Sequence, residues 1–249
     1  MSGGEKTLLI IGATSSIALA YARLRVAGGP VRLILSGRNP DRLALVAKDL
    51  GTRGAVSVAC YPGDIGSPDA VPALLTDILS LEGSIDEIFI ACGTMTPNGA
   101  GLLEIAHMLQ VNLVAMALWA EGGARALERQ GHGHIVIIGS VAGDRGRTSN
   151  SLYGASKAGL ERVAEGLSLR FHRNTELWCT LVKPGLVDTP MTQAMSKDGS
   201  LWSTPDDVAR SIVEAVRSQR PVAYVPGRWR CIMLVVRHLP RTVLSRLGL

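Results

Sequence analysis

The 249-residue chain contains no Cys-x-x-Cys pair, and its four cysteines (Cys60, Cys92, Cys179 and Cys231) stand far apart. Such spacing builds neither a zinc site nor a disulfide framework, so all four read as buried apolar thiols in a reducing cytoplasm. His132 and His134 form a His-x-His pair at a strand start with no Asp, Glu or Cys partner in range, and no metal is expected. No basic-then-apolar signal region opens the chain; Ser2 to Lys6 lead straight into a short strand, and secretion is not expected. No apolar run reaches about 18 residues, so no segment is expected to span a bilayer. Internal repeats, low-complexity tracts and a dividing linker are absent as well, which leaves one folded unit.

Acidic residues are missing from the C-terminal end. Between Ala215 and Leu249 stand Arg217, Arg220, Arg228, Arg230, Arg237, Arg241 and Arg246, with no Asp or Glu. These seven exceed the net charge of +5, so the rest of the chain carries about −2. A generally basic, nucleic-acid-binding surface is excluded, and a basic extension at residues 228–249 follows a main domain at 1–227. In that extension Trp229, Ile232, Val236, Leu239, Val243 and Leu247 recur every three or four residues. Arg230, Arg237 and Arg241 lie off this stripe, and Pro240 interrupts it. Such a helix either covers the core or a subunit interface, or docks on an anionic membrane surface.

What the chain does have is 47% hydrophobic residues against 19% charged, the balance of a core-rich domain. Buried-type strands are expected at Thr7–Ile11, Val31–Leu35, Val56–Cys60, Asp86–Ala91, His134–Ile138, Glu176–Val182 and Val222–Val225. Helical patterns at Ser15–Val26, Pro40–Leu50, Pro68–Leu81, Leu102–Gln130 and Pro205–Ser218 fall between them, as does one that starts near Tyr153. Strands apolar on both faces and joined by helical crossovers make an α/β fold, a doubly wound parallel sheet of seven strands.

Two stretches carry chemistry. Gly12-Ala13-Thr14-Ser15-Ser16-Ile17-Ala18 lies where the first strand turns into a helix, where a phosphate meets free N–H groups and the positive end of the helix dipole. The second stretch runs from Gly133 to Gly159. Ser140 ends a strand, Tyr153 follows thirteen residues on, and Lys157 four beyond that, on the same helical face. An ammonium beside a phenol is expected to lower the phenol's pKa toward working pH and make it a proton donor or acceptor.

These motifs, over roughly Lys6 to Val225, resemble the short-chain dehydrogenase/reductase family. The resemblance implies a Rossmann fold and catalytic residues Ser140, Tyr153 and Lys157. Asn112 would hold a water that links Lys157 to solvent. The implied cofactor contacts are Gly12, Thr14, Ser15, Ser16, Ile17, Arg38, Asp64, Ile65, Gly93, Tyr153, Lys157, Pro184, Gly185, Val187 and Thr189. Of the family's Gly-x-x-x-Gly-x-Gly turn only Gly12 remains, with Ser16 and Ala18 at the other glycine positions. Ile90-Ala91-Cys92-Gly93 stands where the family has Asn-Asn-Ala-Gly, and Asp86 matches a structural position. After the second strand, Ser36-Gly37-Arg38 offers no carboxylate for a ribose diol and an Arg for a 2′-phosphate, which favours NADP(H) over NAD(H). Alternatively, Arg38 merely stands in solvent. Met191, Met195 and Trp202 follow Thr189, where the family keeps a substrate lid.

The reading is an NADPH-dependent oxidoreductase that interconverts a small-molecule ketone and a secondary alcohol. The resemblance also implies a homodimer or homotetramer. The altered turn and the tail are similar to a subgroup reducing polyprenyl-phosphate keto-pentoses, so a lipid-linked substrate and peripheral contact with the inner membrane face form a second reading. A non-catalytic NADP-binding sensor or scaffold is the third.

Overall fold

Seven runs rich in Val, Ile and Leu form one all-parallel sheet in the computed structural model, which describes residues 4–97, 99–197 and 199–246. The strands are β1 (Lys6–Ile11), β2 (Val31–Gly37), β3 (Ser57–Pro62), β4 (Glu87–Ile90), β5 (Gly133–Ile138), β6 (Leu177–Pro184) and β7 (Val222–Val225). Their order across the sheet is β3-β2-β1-β4-β5-β6-β7. The winding reverses between β1 and β4, and the crevice beyond the strands' C-terminal ends at that point is where such sheets bind ligands.

Successive residues of β1 point to opposite faces and separate two cores. Leu9 and Ile11 pack with Trp119, Leu127, Leu160 and Phe171; Leu8 and Ile10 pack with Tyr21, Leu43, Val208 and Ile212. The first layer comes from α3 (Val71–Glu82), α5 (Met116–Gln130) and α6 (Ser151–Phe171). The second comes from α1 (Ser16–Ala27), α2 (Pro40–Thr52) and α7 (Pro205–Arg217). Each such buried aliphatic or aromatic side chain contributes about 1.5–3 kcal/mol.

The departures from expectation have physical causes. Cys60 is exposed because β3 is an edge strand, and Cys231 is exposed on a surface helix, so only Cys179 is a fully buried thiol. The helix expected over Leu102–Gln130 is α4 (Leu102–Leu109), a π-helical turn (Gln110–Ala115) and α5 in sequence. Within these 29 residues an 18-residue window reaches a mean hydropathy of 1.5, long and apolar enough by those measures to cross a membrane, contrary to the expectation of no such segment. The strict apolar run is broken by Glu104, His107, Gln110 and Asn112, which averaging conceals. In the fold Met116, Trp119, Ala120, Ala124 and Leu127 are fully buried in the core, whereas Leu102 and Leu103 at the start of the segment are exposed.

The C-terminal stripe turns inward. In α8 (Arg228–His238), Trp229 and Met233 are buried against Val141, with Ile232, Val236, Leu186 and Tyr224 around them. Leu239 and Pro240 then lead into α9 (Arg241–Arg246), where Leu244 is buried and Val243, expected on the stripe, is exposed. Leu247 lies outside the described residues.

Candidate active site

The cleft at the winding reversal encloses about 430 Å³. Its floor is the turn after β1. Gly12 has φ +85, a left-handed conformation, and a Cβ there would stand 2.8 Å from the Ala91 carbonyl oxygen, so only glycine fits on both counts. Ser15 is the N-cap of α1 in extended conformation, its side chain makes no capping bond, and no acidic residue occupies the first turn. The first-turn N–H groups thus face the cleft without a side-chain cap, lined by Gly12, Thr14, Ser15, Ser16 and Ile17.

At the end of β2 stands the charge. Asn39 accepts a hydrogen bond from Arg42 N at 2.9 Å and caps α2, and this turn brings Arg38, Asn39 and Arg42 to the cleft wall. No carboxylate lines the cleft among the described residues. Arg42 and Asn39 were not foreseen; the Asn-Pro cap followed by an Arg in the first turn was the available signal. Ile65 lines the cleft as expected, whereas Asp64 does not, because its Oδ1 accepts from Gly66 N at 3.1 Å within its own turn.

The reacting end is built by β5 and α6. Ser140 follows β5 in extended conformation, its Oγ accepts from Ala142 N at 3.1 Å, and it is hydrogen-bonded to the Tyr153 hydroxyl. Tyr153 lies in the first turn of α6 and Lys157 one turn on, with Nζ 5.9 Å from the Tyr153 ring centroid. Lys157 is buried and donates to the Ile138 carbonyl at 3.2 Å.

The electrostatics here differ from the expected lowering of the phenol pKa. Burial pushes the Tyr153 phenol up, and the bond from Ser140 offsets this only in part. Burial also pulls the Lys157 ammonium down to about 8. Desolvation, which penalises either charged form, is the largest cause of both shifts.

Asn112 is wholly buried in the π-helical turn and does not line the cleft. Its Oδ1 accepts from Thr94 N and its Nδ2 donates to Thr94 O, both at 2.8 Å. A Cβ on Gly93, which does line the cleft, would lie 3.4 Å from both Asn112 Oδ1 and Lys157 Nζ. Asn112 therefore clamps the Gly93–Thr94 segment that separates it from Lys157.

The last wall follows β6. Pro184, Gly185, Val187 and Thr189 line the cleft, joined by Pro190, Met191 and Thr192. Thr192 Oγ1 donates to Val187 O at 2.7 Å and holds this turn closed. Met195 and Trp202, expected in the lid, are not among the lining residues. Trp229 of α8, unforeseen here, covers the back of the wall, where a Cβ on Gly185 would fall 1.8 Å from its Nε1. His134 is not a ligand in this arrangement; it is buried, with Nε2 2.8 Å from Thr180 Oγ1.

A parallel sheet in this strand order, with an uncapped helix start at its reversal, defines a Rossmann-type α/β protein. The chain belongs to the short-chain dehydrogenase/reductase family of oxidoreductases, for the family model described as short chain dehydrogenase matches residues 6–200. It is 34% identical to an uncharacterized oxidoreductase of Streptomyces coelicolor across 99% of this chain and 97% of that one. An uncharacterized oxidoreductase of Mycobacterium tuberculosis is 30% identical across 98% of each. A short-chain dehydrogenase from Sphingobium yanoikuyae, solved in complex with NADPH, superposes with a TM-score of 0.81 at 23% identity, over 95% of this chain and 97% of that one.

Proposed function

We propose that the protein is an NADPH-dependent reductase that converts a ketone to a secondary alcohol. The observation that carries this reading is one cleft that holds the Ser140–Tyr153–Lys157 group at one end and the Arg38–Arg42 pair at the other, with the open start of α1 between them. The Sphingobium relative in fold carries NADPH, which agrees with this reading.

The residues fit a dinucleotide. The glycine turn and uncapped helix start suit a pyrophosphate, and two guanidiniums with no lining carboxylate suit a 2′-phosphate. Pro184, Gly185, Val187 and Thr189 would hold the nicotinamide end. When bound, the nicotinamide supplies a hydride to the carbonyl carbon. Tyr153 gives its phenolic proton to the carbonyl oxygen, which leaves the alcohol and a phenolate to be reprotonated. Ser140 Oγ donates to the same oxygen and fixes its position. Lys157, with a pKa of about 8 and so largely an ammonium at neutral pH, stabilises that phenolate and binds ribose hydroxyls. Asn112 keeps the Gly93–Thr94 segment in place beside Lys157. A phenol held above its ordinary range stays protonated at neutral pH, the form that donates to a carbonyl oxygen.

The test is NADPH and NADH oxidation measured against a panel of ketones. Changing Arg38 and Arg42 together to Ser should raise KM for NADPH roughly 10- to 100-fold, the worth of one or two charge-assisted bonds. KM for NADH should stay nearly constant. Equal losses for both cofactors would place the 2′-phosphate elsewhere.

A further inference from the structure

A second cavity of about 580 Å³ shares no lining residue with the cleft. Its walls are the loop after Asp144, which contributes Arg145 and Arg147, the first residue of α6, Ser151, and α9 with Arg241, Leu244 and Ser245. Three guanidiniums thus surround one space, and no carboxylate lines it among the described residues. Arg145 donates to the Leu239 carbonyl at 3.1 Å and so fastens the loop to the joint between α8 and α9.

Arg147 is the group left unanswered. Its Nε is buried without a hydrogen-bond partner, and its Nη2 reaches only as far as the Met233 sulfur at 3.5 Å. Asp144, whose charge acts on Arg147, is committed elsewhere: it pairs with the Lys183 ammonium and accepts from the Tyr224 hydroxyl at 2.9 Å. A buried N–H donor without a partner is destabilising, and grouped cations repel, so the arrangement is stabilised by an anion that accepts from several donors. The start of α6 adds to this field. Its N-cap Asn150 makes no side-chain capping bond and its first turn has no acidic residue, so a 21-residue helix presents its positive end at Ser151.

We propose that the Arg145–Arg147–Arg241 cavity binds a phosphate ester. A phosphate group carries three strong acceptor oxygens and up to about two negative charges, which matches several guanidinium forks around one space better than a planar carboxylate does. The site is independent of the cofactor cleft and of the reductase reading.

The experiment titrates the full-length protein calorimetrically with glycerol 3-phosphate and, separately, by co-sedimentation with phosphatidylglycerol vesicles. R241Q, on the surface of α9, and R147Q, checked for an unchanged melting curve, are compared with R38Q/R42Q. Binding that weakens about tenfold or more in R241Q or R147Q but persists in R38Q/R42Q supports the site. Loss in the first arm assigns it a soluble ester, and loss in the vesicle arm alone assigns it a lipid headgroup. No binding in either arm, binding unchanged in R241Q and R147Q, or loss confined to R38Q/R42Q overturns it.

Discussion

Lys157 illustrates how a residue's environment decides its chemistry. Four residues from Tyr153 on one helix, it was expected to depress the phenol, yet burial brings the ammonium to about 8 and burial of the phenol raises the phenol. In the unfolded chain a lysine titrates near 10.4, so between about 8 and 10.4 the unfolded state binds more protons and stability rises with pH on this group's account. Binding a polyanion reverses the desolvation penalty. Calorimetry of NADPH binding at pH 8 in buffers of different ionisation enthalpy should show uptake of about half a proton, falling toward zero near pH 6. The uptake should vanish in Lys157→Met. Uptake that persists there assigns the proton to another group. The Ser140, Tyr153 and Lys157 identities were readable from spacing because one strand end and one helix carry all three. Arg42 and Trp229 were not, since their approach to the cleft depends on a capped turn and on a helix packed from the far end of the chain.

At the scale of elements, the long helix before β5 matters for where its hydrogen bonding changes. The π-helical turn Gln110–Ala115 carries Asn112, whose side chain satisfies both backbone groups of Thr94. Asn112→Leu leaves that buried N–H and carbonyl unpaired and should cost about 2–5 kcal/mol in urea unfolding. It should also lower kcat more than it raises KM for NADPH, because Thr94 lies beyond the cofactor contacts. A variant with wild-type stability and kcat would remove Asn112 from the account. Sequence periodicity placed this helix but not its break, since a single added residue in a turn leaves the apolar pattern nearly unchanged. The same limit explains the tail. The stripe through Trp229 was visible, while its target, Val141 and Leu186, follows only from the packing of α8 beside β7.

At the scale of the whole molecule, β6, α6, α8 and the turn after Ser140 are joined by a charge cluster that no local pattern announces. Lys183 near the end of β6 is buried and pairs with Asp144, four residues past Ser140, and with Glu161 on α6 at 2.8 Å. Arg237 of α8 stands 3.7 Å from Asp144. Lys183 thus ties β6 to the turn after Ser140 and to α6, and Arg237 adds α8 to the same cluster. Lys183→Met leaves two carboxylates without their central partner and should destabilise the fold by about 3–5 kcal/mol. Lys183→Met with Asp144→Asn and Glu161→Gln should recover part of that loss. A single variant as stable as the wild type would show the cluster to be incidental. The sheet itself was legible, because apolar strands alternating with helices allow few parallel topologies; the cluster was not, because its members are scattered over nearly a hundred positions of sequence.

The proposed function makes the Tyr153 hydroxyl the proton donor to a carbonyl beside bound NADPH. Tyr153→Phe, measured by stopped-flow oxidation of NADPH with a ketone that the wild type reduces, tests that directly. The account requires NADPH to bind with nearly wild-type affinity while hydride transfer slows at least a hundredfold, within the roughly 10²–10⁴ range of general acid catalysis. Hydride transfer at the wild-type rate in Tyr153→Phe would contradict it.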